Sequence, residues 1–314
     1  MPSRPRPRRP PVPRIPLGEL IDAAIQWLTV HADGLFDAVS AVLLFLVNLA
    51  YGVLAAPPDL VLVLLLALVA AWSTRRVLSG IAAAAAFLLV LGIDLWTQTL
   101  QTLAVVLVAA LAAVLFGVPL GILGAKSARV SAVLRPVLDF MQTLPVFVYL
   151  VPAVFFFGIG VVPGIVSTVV FSIPPAVRLT ELGIRQVDGE TVEAAHAFGA
   201  RPRQVLREVE IPLAFPSIMA GINQVIMLAL SMVVVAGLVG AEGLGSVVVE
   251  GVTQLSIGSA FEGGIAVVIL AIYLDRVTGA AGRARPRSGR WSARLRRRTA
   301  PASSTTSDID GTDR

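Results

Sequence analysis

Long apolar runs recur along this chain, separated by short charged or glycine-containing breaks, and they constrain the fold more than any other feature. A helix needs about 20 apolar residues to cross the hydrocarbon core of a bilayer. Inside that core only helices and closed barrels satisfy their own backbone groups. Runs of this kind centre on 59–74, 77–94, 98–124, 135–158, 161–182, 212–239 and 257–276. A further run, FDAVSAVLLFLVNLAYGVLAA at 36–56, follows an amphipathic segment, LGELIDAAIQWL, suited to the membrane interface. The expected fold class is therefore an all-α polytopic membrane protein with seven transmembrane helices, or eight if 36–56 also crosses. The balance of 56% hydrophobic to 14% charged residues excludes a soluble domain of this length.

Lysines and arginines give the orientation, because positively charged loops stay cytoplasmic. With eight spans and the N-terminus inside, the interior loops hold Arg75 and Arg76, then Lys126, Arg129 and Arg135, then the five arginines from Arg178 to Arg207. The two tails complete the 25 basic residues. The exterior turns carry acidic charge, including Asp59, Asp94, Glu242 and Glu250. The high pI thus comes from ends and loops facing membrane lipid, and no nucleic-acid-binding domain is expected. The chain has no cysteine and only two histidines, so no metal site is expected.

One interior loop has its own helical logic. In EAAHAFGARPRQVLREVEIPLAFPSIMAG, Asp188 can cap a first short helix with Val192, Ala195 and Phe198 on one side, and Gly199 can end it in a left-handed conformation. A second helix follows, with Pro202 in its first turn, Val205, Leu206 and Val209 at helical spacing, and Pro212 closing it before the next span. Each piece of about 10 residues is too short to cross a bilayer. The pair reads as an amphipathic hairpin at the inner surface. Nearby, Asp139 falls one helical turn after Arg135, the spacing of an intrahelical ion pair.

These residues carry a resemblance. Glu193, Ala194 and Ala195, then Gly199, then Ile211 and Pro212, are similar to the loop by which permease subunits of ABC importers dock on their ATP-binding subunits. The segments MQTLPVFVYLVPAVFFFGIG, VPGIVSTVVFSIPPAVRL, PSIMAGINQVIMLALSMVVVAG and AIYLDR, with GAEGLG, resemble permeases of glycine betaine, proline betaine, choline and carnitine uptake systems. The resemblance implies a type I ABC importer permease fold. It implies an N-terminal membrane extension (17–96) and a permease core (97–277) with its coupling loop at about 183–212, while composition alone marks a disordered basic arm (1–16) and a basic disordered tail (278–314). Its implied partners are an ATP-binding cassette ATPase subunit, an extracytoplasmic substrate-binding protein and a second permease copy. Six residues would couple to the ATPase: Glu193 by a polar contact, Ala194 and Ala195 by permitting close approach, Gly199 by setting the interhelical angle, and Ile211 and Pro212 at the loop's end. No cofactor is expected on this chain. A P-loop needs Gly-Lys-Ser/Thr, and the single lysine, Lys126, follows alanine in GAKS, so ATP and Mg are expected on the partner ATPase.

Prolines interrupt several spans: Pro145 and Pro152 in one, Pro174 and Pro175 in the next. Interrupted helices are tolerated where neighbours or a water-lined path satisfy the freed backbone groups. Six of the 20 aromatic residues fall in 135–158, and ring faces hold a trimethylammonium group by cation–π contact. Gln142, Thr143, Pro145, Phe147 and Tyr149 are therefore pathway candidates, with lipid-facing or core aromatics as the competing reading. Asn223, Met227 and Ser231 recur every fourth residue on one helix face, where they line a path or bind two helices together. The function this reading favours is the permease subunit of an ATP-driven importer of a quaternary ammonium osmoprotectant. The alternatives are a permease for another small solute such as an amino acid, or an osmotic channel.

Overall fold

A computed structural model describes residues 17–282, and within them every regular element is a helix. The basic arm (1–16) and the chain from 283 onward lie outside the described residues. An interfacial-length helix α1 (Leu17–His31) leads into α2 (Asp33–Ala55). A hairpin follows, α3 (Asp59–Thr74) and α4 (Val77–Gly92), turned by Arg75 in the left-handed region at φ 56°. The remaining long helices are α5 (Trp96–Lys126), α8 (Val161–Arg185), α11 (Ile211–Ser231) and α14 (Ile257–Gly282). Shorter pieces connect them: α6 (Ala128–Thr143), α7 (Val146–Phe157), α9 (Gly189–Ala197), α10 (Pro202–Gln204), α12 (Val233–Gly237) and α13 (Leu244–Thr253).

Five helices are long and apolar enough to cross a membrane, or six when α6 and α7 count as one span. Seven or eight are expected from the sequence. The difference lies in α3 and α4, which stop at 16 residues each, or about 24 Å against the roughly 30 Å of hydrocarbon. Because they form a pair, their crossing or not leaves the sidedness of everything after them unchanged. The run at 36–56 is part of α2, whose 23 residues meet the criterion for a span.

The run at 135–158 is not one straight helix: α6 and α7 meet at 94°. Pro145 explains the break. It cannot donate a backbone hydrogen bond and forces the residue before it out of the helical region, and Leu144 is extended at φ −70°, ψ 134°. The packing around it shows that the bent pair crosses the bilayer. Gly117, Gly121 and Gly124 of α5 lie against Ala176, Thr180 and Glu181 of α8, in the same order along both helices. α5 and α8 are therefore parallel neighbours, so the end of α5 and the start of α8 lie at opposite faces. The segment 127–160 must traverse the thickness between them.

The α5–α8 contact depends on those glycines. A Cβ at Gly117 would lie 2.5 Å from the Ala176 Cβ, and one at Gly121 would lie 2.6 Å from the Thr180 Cβ. Small residues of this kind let helix backbones approach in membranes, where no hydrophobic force holds helices together. α11 packs antiparallel on α8, with Gly221 against Leu179 and Gly183 against Ser217. α14 packs antiparallel on α11 and continues past 276 to Gly282, which lies against Met219. Behind this layer, Phe87 of α4 meets Trp96 and Tyr273 edge to face at 6.1 and 5.0 Å, fixing the hairpin to the core.

Candidate coupling site and pathway

The loop between α8 and α11 gathers at the face that carries the basic residues. Asp188 caps α9, its Oδ1 accepting from the Glu190 N–H at 3.2 Å and its Oδ2 from the Thr191 hydroxyl at 3.3 Å. Gly199 ends that helix at φ +82°, where its N–H donates to the His196 carbonyl and the Ala200 N–H reaches back to Ala195. An L side chain is disfavoured there. Arg201 opens the second piece, its N–H donating to Gln204 Oε1 at 2.9 Å.

The second piece is not closed at Pro212. α10, a π-helical turn (Val205–Glu210) and α11 form one continuous helical run from Pro202. The wider π turn sits immediately before Pro212, which has no N–H to donate to the Glu208 carbonyl as an ordinary α-helix would require. The loop thus holds one free-standing short helix, and its other half is the base of a membrane-spanning rod.

The six expected coupling residues divide into two groups. Glu193, Ala194, Gly199 and Pro212 are exposed, whereas Ala195 and Ile211 are half-buried. Ile211 packs on the cluster of Ile184, Ala214 and Ile218, which joins α11 to the inner end of α8. Phe198 departs from the expectation that it shares one side of the helix with Val192 and Ala195. It lies just past the end of α9 and is 93% exposed, while the other two are half-buried.

Sequence reasoning missed a buried ionic layer beneath this loop. Glu210, 6% exposed, pairs with Lys126 at the end of α5. Glu181, 7% exposed, accepts from the Ser131 hydroxyl at 2.7 Å and pairs with Arg185 at 3.1 Å and Arg135 at 3.7 Å. Arg185 also donates to the Gly124 carbonyl at 2.9 Å. Asp139 pairs with Arg178 of α8, which corrects the expected Arg135–Asp139 pair. Arg135 and Asp139, two of the three charges of α6, thus reach across to α8. The available signal was the presence of Glu181 and Glu210 at the ends of apolar runs, where a buried carboxylate requires a partner.

The pathway candidates fall into two places. Gln142, Thr143, Pro145 and Phe147 are exposed at the α6–α7 break, and Tyr149 folds back so that its hydroxyl donates to the Met141 carbonyl. Thr143 satisfies itself on Phe140 at 3.0 Å. On α11, Asn223 is engaged by α14: its amide donates to Asp275 at 2.9 Å and its carbonyl oxygen accepts from Thr278. Ser231 is exposed and bonded only to the Met227 carbonyl of its own helix, at 2.9 Å. The face shared by Asn223, Met227 and Ser231 therefore packs at its inner end and is open at its outer end. Among the described residues no group of acidic, histidine or cysteine side chains could hold a metal ion.

Comparison with known proteins gives concordant matches. Residues 117–284 match the family described as binding-protein-dependent transport system inner membrane component. The chain is 48% identical to the glycine betaine transport system permease protein OpuAB of Bacillus subtilis, over 85% of this chain and 94% of that protein. It is 46% identical to the glycine betaine/proline betaine permease ProW of Escherichia coli, over 86% of this chain and 76% of that protein. Among solved structures, a chain of the MetNI methionine ABC transporter in an inward-facing conformation aligns with a TM-score of 0.55 at 23% identity. That alignment covers 58% of this chain and 92% of that one, and it shows the fold.

Proposed function

The chain belongs to the binding-protein-dependent transport system inner membrane components, as a permease subunit of an ABC importer, and from that premise we propose that it carries glycine betaine or a related quaternary ammonium solute. The observation that supports the substrate is the 48% identity to a glycine betaine permease over 85% of this chain. ATP and Mg are bound by a separate ATP-binding subunit, which grips the face of α9 bearing Glu193 and Ala194. An extracytoplasmic binding protein delivers the solute, and a second copy of this chain completes the pathway.

The loop's geometry supports that division of labour. Phe198 is 93% exposed beside Gly199, and an isolated aromatic ring of this kind is suited to anchor a protein–protein contact. A partner that moves α9 also moves the helical run from Pro202, because only Gly199–Arg201 separates them. The Lys126–Glu210 and Glu181 pairs then carry the displacement into α5, α6 and α8. At the α6–α7 break, Phe147 and Tyr149 offer ring faces to a cation that has no hydrogen to donate, with Gln142, Thr143 and Pro145 beside them; Met227 and Ser231 on α11 form a separate part of the proposed path.

The test is uptake by proteoliposomes holding this chain, its ATP-binding subunit and its binding protein. Labelled glycine betaine, choline and proline are supplied in turn with ATP inside. Accumulation of a quaternary ammonium solute is the expected result. The substrate assignment is removed if neither glycine betaine nor choline accumulates in an ATP-dependent way.

A further inference from the structure

Away from the coupling loop, a cavity of about 320 Å³ opens between the α3–α4 hairpin and α14. Its lining sorts by depth. Arg76, at the turn before α4, and Arg276, on the inner half of α14, line one end. Ala82, Ala83 and Ala86 of α4 and Ile269 and Ile272 of α14 are among the residues that line the mostly apolar remainder. Ala83 lies seven residues beyond Arg76, about 10 Å along the helix, so the cationic end and the apolar body are spatially distinct.

The cationic end faces the inner leaflet. α4 finishes where α5 begins, so the α3–α4 turn lies at the opposite face, the one to which α5 delivers Lys126 and the coupling loop. Arg276 lies on the half of α14 nearer that face, six residues before Gly282, which packs against Met219 of the antiparallel α11. Among the described residues neither arginine pairs with a carboxylate. Both are exposed, as are Val77 and Leu78 beside them.

We propose that this cavity binds an anionic phospholipid of the inner leaflet, its phosphate between Arg76 and Arg276 and an acyl chain along the alanines of α4. The charge complements the headgroup, and the alanine side chains leave the width that a chain fills. A free inorganic anion would gain nothing from the apolar body, and a soluble protein could not reach a groove at membrane depth. Each arginine favours an anionic headgroup by a factor of about five, so the pair gives a preference of about twenty-five-fold over a zwitterionic lipid.

Native mass spectrometry of the purified full-length chain, titrated with phosphatidylglycerol and phosphatidylcholine of equal chain length, reads this directly. One phosphatidylglycerol per chain is expected to be retained with about that preference. Arg76→Gln with Arg276→Gln should bring the preference close to unity. Ala83→Phe should expel both lipids, and Arg75→Gln, outside the cavity lining, should change nothing. Undiminished preference in the double glutamine variant, or displacement of the lipid by millimolar inorganic phosphate, would overturn the assignment. Neither readout depends on which solute is transported.

Discussion

Gly199 holds φ +82° and donates its N–H to the His196 carbonyl, so both demands fall on one residue. Proline satisfies neither, because its ring fixes φ near −65° and it has no N–H. Gly199→Pro is expected to abolish uptake while membrane insertion, followed by membrane-fraction immunoblot, stays normal. Gly199→Asn, which tolerates the left-handed region, should retain most of the uptake. Wild-type uptake by the proline variant would remove the loop from the coupling path. Asp188 and Gly199 were legible in sequence because capping is local chemistry, set by a few consecutive residues. Phe198 was not. Its spacing matches that of Val192 and Ala195, but it stands after the last helical residue, where the periodicity no longer applies.

At the scale of elements, the pair between Lys126 and Glu210 ties the end of α5 to the π turn beneath the loop. Lys126→Met strands a nearly buried carboxylate, and a destabilisation of about 1–2 kcal/mol is expected, moderated because the lysine side chain is 41% exposed. Replacing both residues by methionine should recover most of that stability, since two apolar groups leave no orphaned charge. Thermal unfolding of the purified variants measures both effects. Uptake per ATP hydrolysed should stay low in the double variant, because stability returns without the link. The elements themselves were readable from apolar periodicity, but their ends were less so. α3 stops at Thr74 because Arg75 takes a left-handed conformation, a turn chemistry that arginine does not advertise. At Pro145 the break was visible in sequence, whereas its 94° angle is set by what packs around it.

For the whole molecule, the parallel order of α5 and α8 makes a prediction about sidedness. The chain contains no cysteine, so single-cysteine variants need no background removal. With a membrane-impermeant maleimide, Ile159→Cys should react only from outside, and Arg129→Cys and Ala197→Cys only from inside; all three positions are exposed. Were α6 and α7 to dip in and return, Ile159 and Arg129 would react from the same side. The glycine seam that makes the two helices neighbours could not be read from sequence, because Gly117, Gly121 and Gly124 look alike whether they face a partner or lipid. The continuous run from Pro202 to Gly237 sets the gearing of such a machine. Its 36 residues extend about 54 Å, so a tilt of about 10° at the cytoplasmic foot sweeps the far tip by about 9 Å. Like an oar in its rowlock, the rod turns a short stroke at the motor into a long one at the opposite surface, and any residue that softens its shaft shortens that reach.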